Sequence, residues 1–212
     1  MNIFYWFVIG SFKIYFCLFH RLKIYGRENI PKGSAIIAPN HTSFFDPPII
    51  AASCGEEATF LAKSSLFKHF IFGRLISWLN AYPVSGTAQD ISSLKLIGQL
   101  LKENKKVVIF PEGIRSDDGE LLPIKSGIGM LALRANAPIV PVYIHGAFEV
   151  WDKSRKFPKP WGKVACVFGK PINMKDFEQF GKKEAQEKIS QATENEIKAL
   201  KAWYIKHYTK KS

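Results

Sequence analysis

Hydrophobic positions along the chain follow three patterns. Residues 3–19, IFYWFVIGSFKIYFCLF, are apolar almost without a break, with Lys13 as their only charge. A helix that is apolar all round belongs in a core or against lipid. Short, mostly apolar stretches at 22–26, 34–39, 59–62, 81–84, 107–110, 139–144 and 164–168 read as strands. Two of them, VVIF and IVPVYI, do not alternate with polar residues, which predicts a sheet covered on both faces. Elsewhere the spacing is helical. Apolar residues at 66, 67, 70, 71, 75, 76 and 79 predict one helix over 66–79. Asp90 is placed to cap a helix carrying Ile91, Leu94, Ile97 and Leu101 on one face. Further helices are expected at 47–53, at 127–136 and, with mixed charges, at 182–207.

Strands alternating with helices predict an α/β fold: a mixed, largely parallel sheet flanked by helices, with an N-terminal apolar membrane-associating helix. The expected organisation is a membrane-associating segment at 1–21, one domain at 22–175, and a charged C-terminal helix at 176–212 packed on or extending from it. A chain of 212 residues buries enough surface to need no disulfide or metal staple.

Composition sharpens the N-terminal reading. The segment 3–19 has no basic start and no small-residue cleavage site, so it does not read as a secretory signal. It is short for a span and interrupted by Lys13, and it is rich in Phe, Tyr and Trp, which favour the headgroup boundary. His20, Arg21 and Lys23 follow it. The expectation is a helix lying in, or steeply inserted into, one leaflet. The net charge of +12 asks for a negatively charged partner. An anionic membrane surface fits this N-terminus; nucleic acid does not, since no reader motif accompanies the charge. The basic loop at 152–162, DKSRKFPKPWG, reads equally as a membrane or cofactor contact and as a solvated loop. Cys17, Cys54 and Cys166 lie far apart, which points to a reducing compartment with inert, buried thiols. The five histidines are scattered, so no metal site is expected.

Candidate chemistry collects at two strand ends. Asn40-His41-Thr42-Ser43-Phe44-Phe45-Asp46 follows the 34–39 strand. A carboxylate returned beside the imidazole by this spacing would fix its tautomer and raise the basicity of the other nitrogen. The same spacing also suits a purely structural histidine. Phe110-Pro111-Glu112-Gly113-Ile114-Arg115-Ser116 ends the VVIF strand. Ligands collect at the carboxyl ends of strands in open α/β sheets, Gly113 allows close backbone approach, and the Arg115 fork suits phosphate. A surface turn with a local Glu112–Arg115 ion pair is the plainer alternative. Lys125, just before a helix start, and Lys63, at the end of the 59–62 strand, are further candidate cations. No G-x-S-x-G elbow, no G-x-x-x-x-G-K-[ST] and no G-x-G-x-x-G occurs.

Taken together, N-H-x-S-x-x-D, F-P-E-G-x-R-S, Lys-x-Gly and V-P-V, in this order between residues 34 and 144, resemble the glycerolipid acyltransferases. The resemblance implies transfer of an acyl group from acyl-CoA or acyl carrier protein to the free hydroxyl of 1-acyl-glycerol-3-phosphate. It makes His41 the general base and Asp46 its partner. Arg115 would hold the acceptor's phosphate, Glu112 and Gly113 would shape the pocket, and Lys63 and Lys125 would assist. No cofactor is implied beyond the acyl donor, and a cytoplasm-facing membrane site is. The family commonly has an acid and an arginine after the Pro-Val pair; here Ser85 and Gly86 follow Pro83 and Val84. That departure keeps glycerol-3-phosphate and other lysolipids open as acceptors. A basic membrane-binding module without chemistry is the reading from a different class.

Overall fold

Among the residues described by the computed structural model, 3–84 and 91–209, seven strands form one sheet. They are β1 Lys23–Tyr25, β2 Ala35–Pro39, β3 Ala58–Lys63, β4 Ala81–Val84, β5 Lys106–Val108, β6 Ile139–His145 and β7 Ala165–Phe168. The order is β1-β7-β6-β2-β5-β3-β4. Every neighbouring pair is parallel except β6 with β7. The mixed, largely parallel sheet expected from the apolar runs is what forms.

The helices are α1 Ile3–His20, α2 Asp46–Cys54, α3 Phe70–Trp78, α4 Ile91–Lys102, α5 Gly127–Ala135, α6 Ala147–Trp151 and α7 Lys182–Tyr204. They cover both faces, and alternate residues of each central strand enter different cores. Ile37, Val108, Val140 and Val142 pack with α1, α2 and α6. Ile36, Ala38, Val107 and Ile139 pack with α4, α5 and α7. Burying such a side chain is worth about 1.5–3 kcal/mol, so strands apolar on both faces gain on both. α7 shows the complementary pattern: Ala185, Ile189, Thr193 and Ile197, four apart, are buried, and Glu187 and Glu196 between them face solvent.

α1 is not a free-standing rod. Tyr5, Ile9, Phe16 and His20 of its 18 residues are buried, along one face that packs on α2. The Tyr5 hydroxyl accepts the Ala58 N–H at 2.9 Å, tying the helix to the start of β3.

Several sequence expectations need correction. The helix expected over 66–79 is two pieces: a 3-10 turn at Ser64–Lys68 and then α3, separated by His69 in extended backbone. Gly73 permits this doubling back, because a Cβ there would come within 2.5 Å of the Phe67 carbonyl oxygen. Apolar spacing cannot reveal a tight backbone approach. β5 stops at Val108, two residues before the end of the apolar run, although the Ile109 N–H still reaches the Ile37 carbonyl at 2.9 Å. α6, five residues long, is too short to carry a periodic signal. Cys54 and Cys166 are buried, but Cys17 is exposed on the outer side of α1. Asp90, the expected cap of α4, lies outside the described residues.

Candidate active site

The sheet register builds the site. β2 and β5 are parallel neighbours, with Ile37 opposite Val108. His41 lies four residues past the first and Glu112 four past the second, so two segments 71 residues apart in sequence meet. The contact is a hydrogen bond: the His41 main-chain N–H donates to Glu112 Oε1 at 2.8 Å. The Ser116 N–H closes the same junction by donating to the His41 carbonyl at 2.9 Å.

Asp46 opens α2, and the following Pro47 and Pro48 are tolerated in a first turn whose N–H groups lack helical partners. Its carboxylate is fully buried. Oδ2 accepts the Thr42 and Ser43 N–H groups, each at 2.7 Å, and lies 2.8 Å from His41 Nδ1. A carboxylate has only acceptors to offer, so Nδ1 carries the hydrogen, and in the neutral imidazole Nε2 has the lone pair. The imidazole stacks on Phe110 at 3.9 Å between centroids, and its side chain is 19% exposed. An oriented base with an open edge results. Among the described residues no Ser hydroxyl or Cys thiol hydrogen-bonds to the ring, so no protein nucleophile stands in line.

Asn40 has a part the sequence did not reveal. Its amide donates to the Ile144 carbonyl at 3.2 Å and accepts the Ile144 N–H at 2.7 Å. That pair extends the β2–β6 ladder to the residue before His41, fixing the approach of the base. Only the pairing of strands distant in sequence creates this role.

Glu112 is 4% exposed, and Oε2 accepts the Leu122 N–H at 3.1 Å while Oε1 holds His41. Both oxygens accept main-chain N–H groups, so Glu112 acts as an internal latch between the two strand-end segments. Burial pushes its carboxyl up to about 7, with the two N–H bonds pulling the other way. Among the described residues it makes no ion pair with Arg115, so the surface-turn alternative does not hold.

The Arg115 guanidinium instead lies over the Phe44 ring, 3.7 Å from its centroid. Nη1 is buried without a hydrogen-bond partner among the described residues. Burial lowers the Arg115 pKa from its usual value, and the Asp46 charge opposes this. A desolvated, underused guanidinium beside an oriented base is suited to an anionic group on a substrate. Gly113 has φ +77°, and the Lys125 ammonium sits 2.8 Å from where its Cβ would be, so Lys125 belongs to the same loop cluster. The Lys125 N–H secures that arrangement by donating to the Pro111 carbonyl at 3.1 Å. Lys63 ends β3, two strands from β2, and makes no hydrogen bond or ion pair to His41, Asp46 or Arg115 among the described residues. Gly86 lies outside them.

An α/β sheet that sets a His–Asp pair and an underused guanidinium at its strand ends, with no nucleophile bonded to the ring among the described residues, has the groups an enzyme acting on a hydroxyl substrate needs. Comparisons with known proteins give the class. The profile of the Acyltransferase family matches residues 21–145. The 1-acyl-sn-glycerol-3-phosphate acyltransferase of Bacillus subtilis (strain 168) is 30% identical over 200 residues, covering 92% of this chain and 96% of that protein. The human 1-acyl-sn-glycerol-3-phosphate acyltransferase beta is 31% identical over 162 residues, 74% of this chain and 57% of its own length. The chain spans 46% of a Brassica napus chloroplastic relative. Among solved structures, the 1-acyl-sn-glycerophosphate acyltransferase PlsC of Thermotoga maritima superposes with a TM-score of 0.70 at 26% identity, over 90% of this chain and 80% of that one. The chain belongs to the Acyltransferase family and is an O-acyltransferase.

Proposed function

We propose that the enzyme acylates the free hydroxyl of 1-acyl-glycerol-3-phosphate, producing phosphatidic acid, with acyl-CoA or acyl carrier protein as donor. The observation that carries the chemistry is the 2.8 Å contact between His41 Nδ1 and a fully buried Asp46 carboxylate. His41 Nε2 takes the hydroxyl proton as the oxygen attacks the thioester carbonyl. The tetrahedral intermediate collapses, the carbon–sulfur bond breaks, and the thiolate leaves, taking up a proton from the imidazolium or water. Asp46 stabilises the imidazolium formed in between. Arg115, with Lys125 beside Gly113, receives the acceptor's phosphate. The substrate class is also that named for the Bacillus and human relatives.

The acceptor resides in a membrane, and α1 supplies the attachment. Its buried residues reach from Tyr5 to His20, so the helix is docked along the domain over its length and presents its other faces to one leaflet. That geometry suits an interfacial helix on the cytoplasmic side, where the soluble donor arrives, better than a span.

The test is thiol release by wild type and His41→Ala in detergent, with lysophosphatidate, glycerol-3-phosphate and a lysophosphatidylcholine as acceptors and acyl-CoA and acyl carrier protein as donors. A positioned base contributes about 10²–10⁴-fold. The variant is expected to lose that much turnover with lysophosphatidate while keeping its far-UV spectrum. A folded, fully active variant overturns the mechanism. Preference for another acceptor overturns the substrate.

A further inference from the structure

Apolar surface is also exposed at the connection between β3 and β4, residues 64–78. No residue of the 3-10 turn Ser64–Lys68 is buried, and in α3 only Gly73 is. Yet this connection carries Leu66, Phe70, Ile71, Phe72 and Trp78, which are 40%, 78%, 82%, 47% and 48% exposed. Isolated surface hydrophobics are ordinary; a contiguous cluster of large ones marks an interaction surface. The cluster continues into α1, because the Trp78 ring meets Phe4 at 4.6 Å, edge to face. Outward-facing Ile3, Phe7, Ile14 and Leu18 extend it along that helix.

Charge decides among possible occupants. Residues 3–27 and 58–84 contain no Asp or Glu, but do contain Lys13, Arg21, Lys23, Arg27, Lys63, Lys68 and Arg74. The Arg74 guanidinium lies 5.8 Å from the Phe70 ring and 5.9 Å from the Trp78 ring, a cation at the rim of an aromatic patch. A second copy of the chain would set like charges against like. A bilayer with anionic headgroups offers phosphates to the cations and acyl chains to the aromatics.

We propose that the β3–β4 connection is a second membrane-inserting element, which with α1 fixes the enzyme's orientation on an anionic bilayer. This rests on the membrane-surface reading of α1. One interfacial helix leaves the protein free to roll about its axis; a second contact removes that freedom. The element begins at the C-terminal end of β3, which is parallel to β5, as β2 is. Its insertion therefore brings the His41 end of the sheet toward the lipid that carries the acceptor. Gly73, folded tightly against Phe67, keeps the hairpin compact enough to act as one wedge.

The experiment places a nitroxide at Ile71→Cys or Leu18→Cys in a Cys17→Ser background of the full chain. Cys54 and Cys166 are buried. Collision with oxygen and with a water-soluble nickel chelate is read with and without phosphatidylglycerol–phosphatidylcholine vesicles. Expected is a label at 71 open to nickel in buffer, and on vesicles shielded from nickel but reached by oxygen. A label at 71 that nickel reaches while the one at 18 is shielded overturns the proposal and leaves the α1 reading intact. Nickel access at both overturns both. Shielding at 71 before vesicles are added, with dipolar broadening, identifies a second copy and overturns the proposal. In parallel, Phe70→Ser/Ile71→Ser should lower vesicle partitioning about 100-fold, the effect of two apolar side chains withheld from the bilayer. Its turnover of a short-chain soluble acceptor should be unchanged, and unchanged partitioning overturns the proposal.

Discussion

Replacing Glu112 by Gln tests the latch that joins the two motifs. In the wild type the carboxyl accepts the His41 and Leu122 N–H groups at 2.8 and 3.1 Å while only 4% exposed. Glutamine has the same length but one acceptor oxygen, so one of these donors meets an NH₂ group. Leaving a buried donor unmade costs about 1–3 kcal/mol. Titration adds a pH dependence whose sign follows from burial. The carboxyl is pushed from 4.5 to about 7, so between those values the native state holds a proton that the unfolded chain has released. The stabilisation from this group is full below the unfolded value and is lost as pH rises through the folded one. A difference of that size corresponds to about 3 kcal/mol. Glutamine does not titrate. The variant's deficit should therefore be largest near about pH 5 and close, or reverse sign, toward about pH 8, where the wild type has lost about 3 kcal/mol and the variant has not. Urea denaturation in detergent at several pH values measures it. Two stability curves that run parallel in pH refute the titration argument, and equal stability throughout refutes the latch. Because the His41 main chain is loosened, kcat should also fall, by up to about 10²-fold, with little change in acceptor KM.

Asp46→Ala removes the acceptor for two N–H groups and the imidazole at once. It should destabilise by about 3–5 kcal/mol, read from the denaturation midpoint, and lose at least as much turnover as His41→Ala. Arg115→Ala should raise KM for a phosphate-bearing acceptor about 10–100-fold in steady-state assays. Arg115→Lys should restore only part of this, because a flat guanidinium stacks on Phe44 and an ammonium does not. Gly129→Ala would set a methyl group against the Gln186 carbonyl where α5 crosses α7. It should lower thermal stability by about 1–3 kcal/mol without changing KM.

Local chemistry was legible in the sequence because its determinants are local. The apolar runs at 34–39 and 139–144 read as strands buried on both faces, and both became central strands. The return of Asp46 to His41 needs one turn of loop and the start of a helix, all within seven residues. The identity of the motifs, and hence the family, was readable in the same way.

Tertiary structure decided what depends on strand partners and close approach. The β2–β5 register sets Glu112 under His41, giving it a latch role that the sequence did not show, and β6 gives Asn40 its task. The stack of Phe44 on Arg115 joins side chains from two strand ends. The break in the expected 66–79 helix comes from Gly73 meeting the Phe67 backbone, and it leaves an aromatic surface that hydrophobic spacing alone would have assigned to the core. Periodicity tells which residues avoid water; only the assembled chain tells whether protein is there to cover them.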